Sequence, residues 1–174
     1  MNYEQWRRIR LVAFDVDGTL TDGGIYLAGD GECMKRFHAR DGMGMVMARK
    51  AGLVVGLISG RTSAITQRRA TELGLDFCYD GIQDKVAVLE AELTARGWGW
   101  ENAAFMGDDI NDVALLQRVG LAAVPADADS SAASWAAYHS RFRGGQGAAR
   151  EWLDRLLAIR HDDADAAKMQ RGTL

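Results

Sequence analysis

Five apolar runs carry the chain, at 9–14, 53–58, 76–79, 103–106 and 121–124. Each is continuous rather than alternating, the pattern of strands buried on both faces of a sheet. Asp, Ser, Gly or Pro follows every run, and Pro125, the single proline, stands where the last one stops. Between the runs lie segments with helical spacing at 45–51, 63–73, 84–96, 113–119, 130–137 and 148–159, three of them followed directly by Gly74, Gly97 and Gly120. Residues 138–142 read as a short extended piece. Strands alternating with helices predict an α/β fold: a three-layer, doubly wound, mainly parallel sheet covered on both faces. Two short runs break the rhythm. Residues 25–27 and 33–37 flank a turn-rich connector, which predicts a β-hairpin at about 24–38. Such a hairpin is marginal alone and must lean on the main domain or on another subunit.

The first run delivers two carboxylates, Asp15 and Asp17, just before Gly18. Side chains two apart on an extended chain share a side, so the pair can address one metal or one phosphate. Acids this close at the end of an apolar strand are costly without a cation or a shared proton, which weighs against the plainer reading of one cap acid and one turn acid. Ser59 follows the second run, Lys85 opens the helix at 84–96, and Asp108 and Asp112 follow the fourth run. These are the carboxyl ends of strands, where open α/β sheets place their sites. Taken singly, Ser59 has the plainer reading of a helix cap and Lys85 that of a surface lysine. Together, the carboxylates, hydroxyl and ammonium suit a hard divalent cation with a phosphate.

Composition narrows the field. The chain has 174 residues, 48% apolar, with a formal charge of −3, so it suits one domain over 1–159 and offers no basic footprint for nucleic acid. No run approaches the roughly 18 apolar residues of a membrane span, and the opening residues lack a signal-peptide core, which makes a cytoplasmic protein the expectation. Residues 160–174 are expected to be a flexible tail. Cys33 and Cys78 lack ligand spacing and read as packing residues; His38, His139 and His161 read as solvated or capping groups. Met43 and Met47, four apart, read as adaptable core filling, and Trp98-Gly99-Trp100 as packing at the far end of the sheet.

The order Asp-Val-Asp-Gly-Thr (15–19), Ser-Gly-Arg (59–61), Lys85 and Gly-Asp-Asp-Ile-Asn-Asp (107–112) resembles the four motifs of the haloacid dehalogenase superfamily of phosphotransferases. The hairpin, the lack of a cap-sized insertion, Asp41-Gly42-Met43-Gly44 and the Gly-Gly-Gln-Gly run at 144–147 narrow the likeness to capless sugar-acid phosphatases, with 3-deoxy-D-manno-octulosonate 8-phosphate phosphatases as the type. The resemblance implies a Mg²⁺-dependent phosphomonoesterase in lipopolysaccharide synthesis, working through an aspartyl-phosphate. Asp15 would be the nucleophile and Asp17 the acid and base, with Ser59 and Lys85 holding the phosphoryl oxygens. Asp15, Asp108 and the main-chain carbonyl of Asp17 would hold the metal. Asp112 would be a further ligand or a close neighbour, and Asp109 an open alternative. Thr19, Gly60 and Arg61 would fall on the substrate side, Arg61 reading a carboxylate or hydroxyl by a two-point contact. The likeness further implies a homotetramer in which one subunit's hairpin covers the neighbouring site. A sialic-type nine-carbon acid phosphate is the other substrate reading, and a non-catalytic assembly domain the reading from another class.

Overall fold

The computed structural model describes residues 3–29 and 31–171, and the side chains of all of these except 32, 33 and 161–171. The side chains of Cys33 and His161, and the tail expected over 160–174 beyond Arg160, fall outside the described side chains. A short helix, α1 (Tyr3–Arg7), buries Trp6 and leads into β1 (Leu11–Phe14). The hairpin strands β2 (Tyr26–Ala28) and β3 (Gly31–Met34) come next, then α2 (Ala39–Lys50), β4 (Val54–Ile58), α3 (Ala64–Leu73) and β5 (Phe77–Tyr79). The second half adds α4 (Lys85–Ala95), β6 (Ala103–Met106), α5 (Val113–Leu116), β7 (Leu121–Val124), α6 (Ser130–Ala133), β8 (Tyr138–His139) and α7 (Ala148–Arg171).

The main sheet runs β5-β4-β1-β6-β7-β8 with every pairing parallel, and the antiparallel hairpin stands apart from it. This is the three-layer α/β architecture expected. Side-chain alternation along β1 divides the core. Val12 and Phe14 join the cluster shared with Trp6, Met45 and Trp152, whereas Leu11 and Ala13 join the one shared with Leu89, Leu115 and Ala132. Helices α1, α2, α3 and α7 thus cover one face, and α4, α5 and α6 the other. Trp98 and Trp100 pack against the second cluster just ahead of β6, the end away from the strand carboxyl termini, with Arg10 stacked 4.6 Å above the Trp98 ring. Cys78 packs against the first cluster as a free thiol, its pKa pushed up to about 11 by burial and by Asp80.

Several elements depart from the pattern reading. Helix α2 begins at Ala39 rather than near Met45 and takes in Gly42 and Gly44, because distant packing outweighs their poor helix propensity. A Cβ at Gly42 would meet the Arg69 guanidinium at 2.3 Å, and one at Gly44 would press on Arg150 at 3.0 Å. The second hairpin strand ends at Met34, three residues early; Lys35 turns inward and Phe37 forms a lone bridge with Thr21. The backbone of α7 continues past Ile159 to Arg171, through a stretch with Ala164, Ala166 and Ala167 and no Gly or Pro before Gly172. Met43 and Met47, expected in the core, are 55% and 38% exposed, since α2 turns that stripe outward and buries Met45 and Ala48 instead.

Candidate active site

Because β1 is central and its neighbours β4 and β6 lead away in opposite directions, a crevice opens beyond its carboxyl end. Asp15 continues the parity of Leu11 and Ala13, so it turns toward α4. There Asp84 caps the helix by accepting from the Ala87 amide, which places Lys85 at the first helical residue. The Lys85 ammonium donates to Asp15 Oδ1 and to Asp112 Oδ1, each at 2.6 Å, with all three side chains almost fully buried. Asp112 also accepts from the amides of Asp108 and Asp109 at 3.0 and 3.3 Å, so it anchors the loop after β6. Ligand oxygens of Asp15, Asp108 and Asp112 lie within 4.8 Å of one another.

Three carboxylates thus face one ammonium. Burial, with Asp112 adding repulsion and Lys85 only partly offsetting it, raises the Asp15 pKa well above the usual carboxylate range. Burial likewise pushes Asp108 up to about 7, against the pull of its bond from Thr19 and with help from Asp112 and Asp109. Burial works against the Lys85 ammonium, but Asp15 and Asp112 override it and raise its pKa. The cluster therefore lacks positive charge, and its all-oxygen donor set fits a hard divalent cation.

Above the acids is a cavity of about 470 Å³ whose wall includes Asp15, Asp17, Ser59, Gly60, Arg61 and Lys85. A wider cavity of about 880 Å³ lies between α2 and α7 and holds none of these acids, so chemistry rather than size selects the smaller one. Ser59 is buried at the end of β4, and the cap of α3 is Ser63, which accepts from Thr66; the helix-cap reading of Ser59 is thereby set aside. Arg61 is half exposed at the wall, its Nε 3.8 Å from Asp17 Oδ2.

Thr19 lies elsewhere than the substrate wall. It is fully buried and its hydroxyl donates to Asp108 Oδ1 at 2.8 Å, so it orients an acid. Gly18 must be glycine: its φ is +93°, and a Cβ would stand 2.0 Å from the Asp108 carboxylate. Gly144 packs on this same loop, since a Cβ there would come within 1.7 Å of the Gly18 carbonyl oxygen, and Gly145 donates its amide to Thr19. The glycine-rich run thus supports the catalytic loop from behind. Sequence reasoning missed Gln83 and Asn111, which line the cavity beside Asp109, and Lys35, which donates to Asp17 at 2.5 Å. Asn111 falls inside the fourth motif and Gln83 two residues before Lys85, the one signal that could have found them.

No family model matches the chain. The chain is 38% identical over 162 residues to 3-deoxy-D-manno-octulosonate 8-phosphate phosphatase KdsC of Escherichia coli, covering 93% of this chain and 86% of that protein. The chain belongs to the 3-deoxy-D-manno-octulosonate 8-phosphate phosphatase family. Solved members of that family superpose closely. The Moraxella catarrhalis phosphatase, crystallised with magnesium ion, phosphate ion and a KDO molecule, is 31% identical with a TM-score of 0.89, over 96% of this chain and 97% of that one. The Yersinia pestis phosphatase is 34% identical with a TM-score of 0.88, over 91% and 86% of the two chains.

Proposed function

We propose that this chain is a Mg²⁺-dependent phosphomonoesterase that hydrolyses 3-deoxy-D-manno-octulosonate 8-phosphate. The observation that carries the reading is the buried Asp15–Lys85–Asp112 array, with Asp108 beside it, at the floor of a cavity of about 470 Å³. An assembly domain without catalysis has no use for charges that are this expensive to bury. Kinship with phosphatases that carry this substrate in their names supports the same choice.

In this reading an Asp15 oxygen attacks phosphorus and the bond from phosphorus to the sugar oxygen breaks, while Asp17 gives its proton to that leaving oxygen. Water then attacks the phosphorus of the aspartyl-phosphate, Asp17 takes the water's proton, and the bond to Asp15 breaks to release phosphate. Two of the three Lys85 N–H donors hold Asp15 and Asp112, which leaves one for a phosphoryl oxygen; the Ser59 hydroxyl and the Gly60 amide supply others. Asp15, Asp108 and the Asp17 carbonyl would hold magnesium, with Asp112 a further ligand or close neighbour, and the ion would supply charge neutralisation at the phosphoryl oxygens. The Arg61 guanidinium at the cavity wall suits the carboxylate of the sugar acid.

The proposal extends to a homotetramer whose hairpins cover neighbouring cavities, supported by the exposure of Ile25 (51%), Leu27 (68%) and Met34 (50%). A cytoplasmic setting goes with it, because a sugar acid phosphate, charged at both its carboxylate and its phosphate, does not cross a bilayer unaided. Turnover of the eight-carbon and a nine-carbon sialic-type substrate with Mg²⁺, with Asp15→Asn as control, tests the reading. The expected preference for the eight-carbon compound is at least about tenfold in kcat/KM, or about 1.4 kcal/mol. The opposite preference, or no Mg²⁺-dependent hydrolysis of either, refutes it.

A further inference from the structure

The acid and base assigned above is gripped from outside the cavity. Lys35 Nζ stands 2.5 Å from Asp17 Oδ1, and the lysine side chain is 2% exposed. Burying an ammonium is costly unless it is paired, so the fold commits this lysine to a carboxylate. Lys35 does not line the catalytic cavity; it faces a shallower cavity beside α3, together with Phe37 and Arg68. The two residues that follow it are tied to the catalytic loop. Arg36 pairs with Asp22 at 3.6 Å, and Phe37 bridges Thr21, whose hydroxyl accepts from the amides of Gly18 and Gly23. The second Asp17 oxygen is thereby turned toward Arg61 at the cavity wall, where a leaving group would stand.

We propose that Lys35 is a positioning residue for the reaction, fixing the Asp17 carboxylate from the hairpin side so that it meets the leaving oxygen. This rests on the phosphatase reading, in which Asp17 moves the proton. Misplacing a catalytic group by about 1 Å can cost roughly 10²-fold, so the effect is expected in turnover.

A leaving-group series of substituted phenyl phosphates tests the idea, since a good leaving group needs little protonation and a poor one depends on it. Lys35→Met is expected to slow the poorest leaving groups by about 10- to 100-fold and the 4-nitrophenyl ester by less than about threefold, steepening the dependence on leaving-group basicity. Lys35→Arg is expected to recover most of the loss. Adding Lys35→Met to Asp17→Asn is expected to cost little beyond Asp17→Asn alone. Equal losses across the series, or losses that add to those of Asp17→Asn, overturn the proposal. Should Lys35→Met fail to fold by circular dichroism, Lys35→Gln decides: a deficit confined to poor leaving groups supports it, and an even deficit or none sinks it. The aryl series reads Asp17 whichever sugar acid is the substrate, so failure of the eight-carbon assignment leaves the outcome interpretable.

Discussion

Lys85 and Asp15 lie 70 positions apart in sequence, yet the ammonium donates to the carboxylate at 2.6 Å in the buried floor of the cavity. The same ammonium holds Asp112, so one side chain keeps two acids together that otherwise repel. Lys85→Met removes that link and one donor for the phosphoryl group. Expected are a loss of at least about 10²-fold in kcat/KM and, without Mg²⁺, a loss of stability on the order of 3 kcal/mol, read by steady-state kinetics and by thermal melts. Melting that is unchanged with and without the metal would contradict the bridging role.

Asp15→Asn should separate activity from stability. The Asp15 carboxyl is held well above its usual pKa by burial first and by Asp112 second, so a neutral group suits the metal-free site better. Hydrolysis is expected to vanish. At neutral pH without Mg²⁺ the variant is expected to melt at least about 2 °C above the parent chain, roughly 1 kcal/mol for a domain of this size. Added Mg²⁺ should narrow or reverse that gap, and a variant that melts lower in metal-free buffer would contradict the charge accounting.

The acids also predict a pH dependence. A carboxyl whose pKa is raised by folding favours the folded state when protonated. For Asp108 that contribution is complete below the ordinary carboxylate range of about 4 and is lost as pH rises through about 7, burial being the main cause. Asp15 shifts in the same direction. Metal-free protein should therefore lose stability between about pH 4 and pH 7. Mg²⁺, which competes with these protons, should raise Tm more at pH 8 than at pH 5. Calorimetric melts at the two pH values, with and without Mg²⁺, check both statements.

Much of this site was legible because its signals are local. Continuous apolar runs ending in acids marked β1 and β6, and Ser63 and Asp84 cap α3 and α4 where the sequence places those helix starts. What escaped depends on distant partners. Lys35 continues a plausible strand run, and only its meeting with Asp17 turns it inward. Gly42 and Gly44 sit inside α2 where Arg69 and Arg150 pack too close for a Cβ, which no local propensity reports. Thr19 looked like part of the substrate wall, yet the closeness of Asp108 claims its hydroxyl.

Asp41 couples α2 to α7. Buried at 1% exposure, it accepts from the amides of Gly147 and Arg150 at 3.1 and 2.7 Å, joining two elements more than 100 residues apart. Asp41→Ala strands both donors and is expected to cost about 2–3 kcal/mol, or roughly 5–10 °C in Tm. Asp41→Asn keeps one acceptor oxygen but turns its amide NH2 toward the other donor, so it should recover only part of that.

The hairpin presents Leu27 and Ile25 to solvent at 68% and 51% exposure, on a two-stranded element outside the main sheet. Two strands alone bury too little to be stable in water, so a covering surface from a second copy fits both the apolar faces and the unpaired edges. Leu27→Glu places a charge in that contact without touching the acids of the cavity. It is expected to shift the proposed tetramer to smaller species in light scattering and to lower kcat/KM for the sugar acid by about three- to tenfold, because in that assembly a cavity would lose the cover of its neighbour. If the parent chain is itself a monomer at assay concentration, or if the variant stays a tetramer, the assembly reading fails while the chemistry of Asp15 and Lys85 stands on its own geometry.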